Sequence, residues 1–303
     1  MTSQSETAPS IDQTGLCLSD SPAPLRLGCV SYLNTLPLIE GLAKLRDLRL
    51  TLTAPSRLVN LLLAREVDLA LVSLIDYQRS PEPLVMLPVG MIGCDGPTLT
   101  VRLFSRVPIE RLSAIHADTD SHTSIALLRI ILARRFAMTG RRLPPIIDFD
   151  VDAHRASGAR NADWPQAMLL IGDKVIADAP PASLYPHQLD LGTEWKTLTG
   201  LPFVYAVWMC RAEDAERPAI ATAASVLDRQ RRRNAVRLSW IVDARAPVRG
   251  WPADEARHYL SDLLRFEVDS AAVAAIDRFF ELAVDCGIIA DRRPARWAGE
   301  ASV

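Results

Sequence analysis

Leu25-Arg26-Leu27-Gly28-Cys29-Val30-Ser31-Tyr32-Leu33-Asn34-Thr35-Leu36-Pro37-Leu38 reads as a short apolar strand running into a polar turn. Pro37 then opens an apolar-periodic helix through Leu38, Ile39, Leu42 and Ala43. Proline suits the first helical turn, where its missing N–H would have no partner. The turn carries Ser31, Tyr32, Asn34 and Thr35, four uncharged hydrogen-bonding groups at the carboxyl end of a strand. In open α/β sheets ligands bind there. The same residues also suit an ordinary strand–turn–helix, with Asn34 as a turn former.

Working outward, strand and helix patterns alternate. Arg49 to Thr53 is a strand, and Pro55 starts a helix with Leu58, Leu61, Leu62 and Ala64 on its apolar stripe. Val67 to Val72 is a buried strand that ends at Ser73. Leu84 to Val89 and Leu99 to Phe104 are strands joined by the turn Gly93-Cys94-Asp95-Gly96-Pro97. This alternation implies a mostly parallel sheet with helices on both faces.

A second α/β unit begins near Val107. Its strands are Ala114 to Ala117, Ile146 to Val151 and Gln166 to Ile171. Between the first two lies a helix with Ile125, Leu128, Ile131, Leu132 and Phe136 on one face. Gly200-Leu201-Pro202 introduces a strand from Phe203 to Met209, and the pattern beyond Arg211 is helical.

Composition narrows the functional classes. The 303 residues are 49% hydrophobic and 23% charged, with net charge −2, enough for two domains and a substantial core. A near-neutral balance argues against nucleic acid or an anionic membrane as partner. The run Arg229-Gln230-Arg231-Arg232-Arg233 reads as a solvated helix face. Cys17, Cys29, Cys94, Cys210 and Cys286 form no C-x-x-C pair, and the five histidines lack metal-ligand spacing. Scattered cysteines fit a reducing cytoplasm. No Walker loop, G-x-G-x-x-G or G-x-S-x-G is present, so no cofactor and no metal is expected. Residues 1–24 read as a disordered tail with neither signal peptide nor membrane span.

The strand-end loops collect the polar groups. Besides Ser31 to Thr35 they are Ser73, Gly96 to Thr100, Asp118 to Ser124, and Gly172-Asp173. Thr123 and Ser124 open a helix, whose free N–H groups and dipole favour an anion; they also suit simple N-capping. Asp173 is placed to cap the helix that follows it.

The opening segment, Pro55-x-x-Leu58…Val67-Asp68-Leu69…Ser73, Gly93 to Thr100, Thr123-Ser124, Leu170-Ile171-Gly172-Asp173, and Leu191-Gly192-x-Glu194-Trp195-x-x-x-Thr199 to Trp208 together resemble the chorismate dehydratases of the futalosine route to menaquinone, the MqnA side of the MqnA/MqnD family. The run from Tyr259 to Gly287 also matches, so the resemblance covers nearly everything after Pro24. The sister naphthoate synthases open with a Pro- and Asp-containing loop, which Tyr32-Leu33-Asn34 is not. Family members often carry Ser where this chain has Thr100.

The resemblance, together with element order, implies a two-lobed, periplasmic-binding-protein-like α/β fold. Lobe 1 is expected over 25–106 plus 208–303 and lobe 2 over 107–207, with crossings near 105–110 and 205–210. It implies chorismate as the small-molecule substrate, lost water, and 3-[(1-carboxyvinyl)oxy]benzoate as product. Asn34 is then the catalytic candidate, set against the departing hydroxyl or ether oxygen. Thr123 and Ser124 would hold a carboxylate. Ser31, Tyr32, Ser73, Gly96, Thr98, Thr100, Gly172 and Asp173 complete the expected binding set. No protein base stands out: the substrate's enolpyruvyl carboxylate and Asp173 are the alternatives. Trp195 and Trp208 are expected to pack rather than react. The competing class is a cytoplasmic module of the same fold that binds a small carboxylate without turning it over. Oligomeric state stays open.

Overall fold

The computed structural model describes residues 24–137, 140–158 and 163–299. The expected tail lies outside the described residues except for Pro24, as does Cys17. Along the chain come β1 (Leu25–Val30), α1 (Leu36–Ile39), β2 (Leu48–Thr53), α2 (Pro55–Leu63), β3 (Leu69–Ser73), α3 (Leu74–Arg79), β4 (Leu84–Cys94) and β5 (Val101–Ser105). Then follow β6 (Ile115–Asp118), α4 (His122–Ala137), β7 (Ile146–Phe149), α5 (Val151–Ala156), β8 (Ala167–Ile171), α6 (Lys174–Ala177), β9 (His187–Asp190) and α7 (Leu191–Thr199). The last part holds β10 (Phe203–Arg211), α8 (Pro218–Ala235), α9 (Leu238–Arg245), α10 (Ala253–His258), β11 (Leu264–Arg265) and α11 (Ser270–Asp285).

Two sheets result. The first has the order β11-β4-β10-β3-β1-β2 and the second β7-β6-β8-β5-β9. In the first, β1 pairs parallel with β2 and β3, while β10 lies antiparallel between β3 and β4. In the second, β6 pairs parallel with β7 and β8, and β5 lies antiparallel between β8 and β9. Each sheet is therefore mostly parallel apart from the strand the chain uses to enter or re-enter it and, in the first, the edge strand β11. Strand β10 is buried along its whole length, as is β3, which explains their continuous apolar reading.

Sheet membership moves the expected lobe boundaries. Strand β5 (Val101–Ser105) belongs to the second sheet, and all of β10 belongs to the first. The chain crosses at residues 95–100 and again through α7, not at 105–110 and 205–210. The pairing partner decides this, and a strand's own hydrophobic pattern does not carry it.

Three local expectations also change. The helix opened by Pro37 stops at Ile39, after a 3-10 turn at Leu33–Thr35, and Gly41 turns away at φ +94°. Tertiary bonds end it: the Glu40 carbonyl accepts from Gln230 Nε2 (2.6 Å) and Asn234 Nδ2 (3.0 Å). Arg245 meanwhile grips the Glu40 carboxylate at 2.7 and 3.1 Å. Second, β4 runs on to Cys94, so only Asp95 to Thr100 form the loop. Third, α4 is buried on nearly every side, because it packs on α3, α11 and β10 as well as on α7. An amphipathic stripe is what a surface helix shows, and this helix lies between lobes.

One core cluster runs through both lobes, and a smaller one around Phe104, Phe149, Trp164 and Tyr185 serves the second lobe alone. Trp195 and Trp208 are buried in the main cluster, with Trp195 Nε1 donating to the Pro202 carbonyl at 2.8 Å. Their expected packing role holds.

Candidate active site

The carboxyl ends of β1, β3 and β4 face those of β6 and β8 across a cavity of about 500 Å³, counting its mouth to solvent. Tyr32, Asn34 and Ser73 line it from the first lobe, Ser121, Ser124 and Gly172 from the second. Thr98 and Thr100 come from the crossing loop, and Tyr205 and Tyr259 from the returning chain.

Each polar group is positioned by a local device. The crossing loop turns at Gly96 (φ +119°) and holds Leu99 in the left-handed region (φ +63°), a strained state for a residue with a side chain. Asp190 fastens it, accepting from Thr98 N (3.0 Å) and Leu99 N (2.8 Å) while capping α7 through Thr193 N (3.1 Å). Thr98 and Thr100 then both face the cavity. Thr100 Oγ1 shares a 2.6 Å hydrogen bond with the Tyr259 hydroxyl, and the Tyr259 ring stacks on Trp251 at 5.1 Å.

At the N-terminus of α4, Ser121 Oγ accepts from Ser124 N (3.2 Å) and shares a 2.9 Å bond with Ser124 Oγ. Ser121 is thus the cap, and Ser124 sits within the open first turn. Gly172 (φ +62°) lies under the Tyr32 ring: a Cβ there would fall 2.6 Å from it. The Tyr32 hydroxyl donates to Asp120 (2.9 Å), which also accepts from Lys174 (2.7 Å). Lys174 reaches Asp118 at 3.2 Å as well.

Several of these bonds join the lobes. Leu33 N donates to Asp173 (3.1 Å), Ser56 N to the Asp120 carbonyl (2.9 Å) and Ile75 N to Thr123 Oγ1 (3.2 Å). His122 Nδ1 lies 2.9 Å from both Asp76 oxygens.

No Asp, Glu, His, Lys, Arg or Cys lines the cavity among the described residues. Its ionisable groups are phenols, and burial pushes Tyr32, Tyr205 and Tyr259 well above their ordinary values. They are neutral donors. The nearest ionic cluster sits behind the Tyr32 hydroxyl. There burial raises Asp118 to about 6, against the pull of Lys174. Burial also pushes the Cys29, Cys94 and Cys210 thiols up to about 12, which leaves them inert. No three His, Cys, Asp or Glu side chains come together in metal-ligand geometry among the described residues. No helix is long and apolar enough to cross a membrane among them.

The family model described as "Menaquinone biosynthesis" matches residues 25–285. The chain belongs to this menaquinone-biosynthesis family. It is 32% identical over 251 residues to a chorismate dehydratase of Thermus thermophilus, covering 78% of this chain and 87% of the relative. Among solved structures it resembles the alkanesulfonate-binding protein SsuA of Xanthomonas axonopodis bound to MOPS (TM-score 0.59, 14% identity, 92% of this chain and 97% of that one). It also resembles the periplasmic aliphatic sulphonate binding protein SsuA of Escherichia coli (TM-score 0.58, 15% identity, 93% and 96%). At such identities the likeness concerns fold: the two-lobed periplasmic-binding-protein architecture, here in a menaquinone-biosynthesis family member.

Seven of the residues expected at the site line the cavity of this family member: Tyr32, Asn34, Ser73, Thr98, Thr100, Ser124 and Gly172. Four do not. Ser31 is exposed at the outer mouth. Gly96 turns its carbonyl toward Gly192 behind the loop. Thr123 faces α3, its hydroxyl taken by Ile75 N. Asp173 makes no side-chain cap bond for α6 and is held by Leu33 N and Trp251 Nε1 (3.1 Å). Its oxygens are bound there, and it lies outside the cavity lining. Ser121, Tyr205 and Tyr259 were not expected. The Ser121-x-x-Ser124 spacing could have pointed to the first; the two tyrosines lie in segments that read only as apolar strand and apolar helix.

Proposed function

We propose that this protein is a chorismate dehydratase, converting chorismate to 3-[(1-carboxyvinyl)oxy]benzoate and water, the entry reaction of futalosine-route menaquinone biosynthesis. It is a hydro-lyase working in the cytoplasm without metal or organic cofactor. The observation that carries this reading is the cavity's content. Among the described residues it offers neutral donors and a helix N-terminus but no side-chain base, and this substrate brings the missing chemistry itself.

The ring proton on the carbon bearing the enolpyruvyl ether is acidified through the diene by the ring carboxylate. The substrate's enolpyruvyl carboxylate, held near that proton, removes it. The C–H electrons form the new ring double bond as the neighbouring C–O bond breaks, and the proton joins the departing hydroxide to give water. Aromatisation supplies the driving force. The protein's work is to hold two carboxylates, stabilise charge spreading into one of them, and exclude water.

Ser124 and the open N–H groups of α4 suit one carboxylate. Thr98, Thr100 and Ser73 supply hydroxyls around the ring. Asn34 Oδ1 is buried with no hydrogen-bond partner, which suits contact with the hydroxyl that leaves. Incubation of purified protein with chorismate, followed by ultraviolet absorbance and mass spectrometry, tests the reading. The expected result is loss of the diene band, gain of a benzenoid band and loss of one water in mass. Unchanged chorismate, or an isomer of equal mass, would overturn it.

A further inference from the structure

Tyr205 stands out on three independent counts. It sits at a β-bulge: β10 pairs Val204 with Gly93 and Ala206 with Ile92 of β4, leaving Tyr205 as the extra residue. In a regular strand successive side chains point to opposite faces. Here Tyr205 and its neighbour Ala206 both line the cavity, as a bulge allows by re-aiming a side chain. Secondly, Tyr205 is 8% exposed, and its hydroxyl is buried beside the Cys94 thiol and Thr98 with no hydrogen bond of normal geometry to either. Buried polar groups are nearly always paired, so an orphan needs a reason. Thirdly, the ring is held from behind, edge to face with Phe203 at 4.6 Å. The ring is therefore held at a fixed place rather than left to swing.

We infer that Tyr205 holds the substrate, its hydroxyl donating a hydrogen bond to a carboxylate oxygen of the bound acid. This rests on the chorismate reading for the identity of the acid. Among the described residues the cavity lining holds no cation to meet an anionic oxygen, and the α4 N-terminus in the second lobe can serve only one carboxylate. Tyr205 lies on the first sheet and so provides a donor from the other lobe. The neutral phenol suits the task, since a deprotonated one would repel the acid.

The geometry separates this role from a structural one. A hydroxyl with no partner weakens the empty protein, so Tyr205→Phe should leave its melting temperature unchanged or raise it. Bound ligand supplies the partner, so the same change should weaken binding by roughly tenfold or more, the range for a hydrogen bond to a charged group. Calorimetric titration of wild type and Tyr205→Phe with 3-[(1-carboxyvinyl)oxy]benzoate, 3-(vinyloxy)benzoate, 2-phenoxyacrylate and benzoate tests both arms. One single-carboxylate analogue should bind the two proteins equally, identifying the carboxylate that Tyr205 holds. A fall in melting temperature, equal affinity of both proteins for every acid, or no binding of any acid by the wild type overturns the inference. Binding that is weakened in Tyr205→Phe, with no turnover of chorismate by the wild type, supports Tyr205 and overturns the dehydratase reading alone.

Discussion

Among the described residues, Asn34 and Tyr205 line the cavity and each carries a buried polar atom without a hydrogen bond of normal geometry, and only one was legible beforehand. Asn34 follows a strand directly, so its place at a strand end could be read within a few residues. Tyr205 owes its position to a bulge set by pairing with β4, more than a hundred residues earlier in the chain, and nothing local marks it. Tyr259 is likewise delivered by the return of the C-terminal segment. Thr123 shows the opposite error: one residue's rotation on a helix turned an expected ligand group into a bond with Ile75 N. Asn34→Ala should lower kcat by roughly a hundredfold or more, the scale for loss of one preorganised donor, here the Asn34 amide N–H set against the charge developing on the departing oxygen. Its Oδ1 makes no bond within the protein, so the melting temperature should hardly move. Single-turnover rates and thermal melting on one preparation check both. Near-normal turnover with a lowered melting temperature would make Asn34 a turn residue only.

Elements governed by their own sequence were readable, and elements governed by partners were not. Pro55 starts α2 as expected, with Leu58 and Leu62 buried, because a prolyl first turn and an apolar stripe are local properties. The helix after Pro37 ends early because Gln230, Asn234 and Arg245 seize Glu40 from α8 and α9. The crossing loop is the element on which the site depends most, and Asp190 is its anchor. Asp190→Ala removes a cap and leaves two loop N–H groups unpaired, so about 2 kcal/mol of stability should be lost. Leu99 is then free to leave its strained conformation. Asp190→Asn should recover most of the stability, since Asn caps as well as Asp. With one acceptor oxygen for three N–H groups it should still leave kcat/KM reduced by roughly tenfold through misplaced Thr98 and Thr100. Denaturant unfolding alongside steady-state kinetics separates the two. Full recovery of kcat/KM in the Asn variant would make Asp190 a structural cap alone.

Across the whole molecule, the lobes are held face to face by a small set of polar bonds around the cavity, and one of them responds to pH. His122 opens α4 in the second lobe, and Asp76 lies buried on α3 in the first. Their hydrogen bond raises the His122 pKa above its ordinary 6.5, against burial and the nearby Arg79 cation. A raised folded pKa means the link contributes fully below the unfolded value. The contribution fades as pH climbs through the folded value. Removing His122 alone would strand a buried carboxylate, so the informative variant is Asp76→Asn with His122→Gln. Wild type should lose melting temperature as pH climbs above the ordinary histidine value of about 6.5, and the double variant should lose less over the same rise. Small-angle scattering should follow the same order, with the wild-type radius growing more than the variant's as pH rises, because the bond lost is one between lobes. Parallel melting profiles for the two proteins would show that this pair carries no charge-dependent coupling, and would leave lobe closure to the uncharged contacts at Leu33, Ser56 and Ile75.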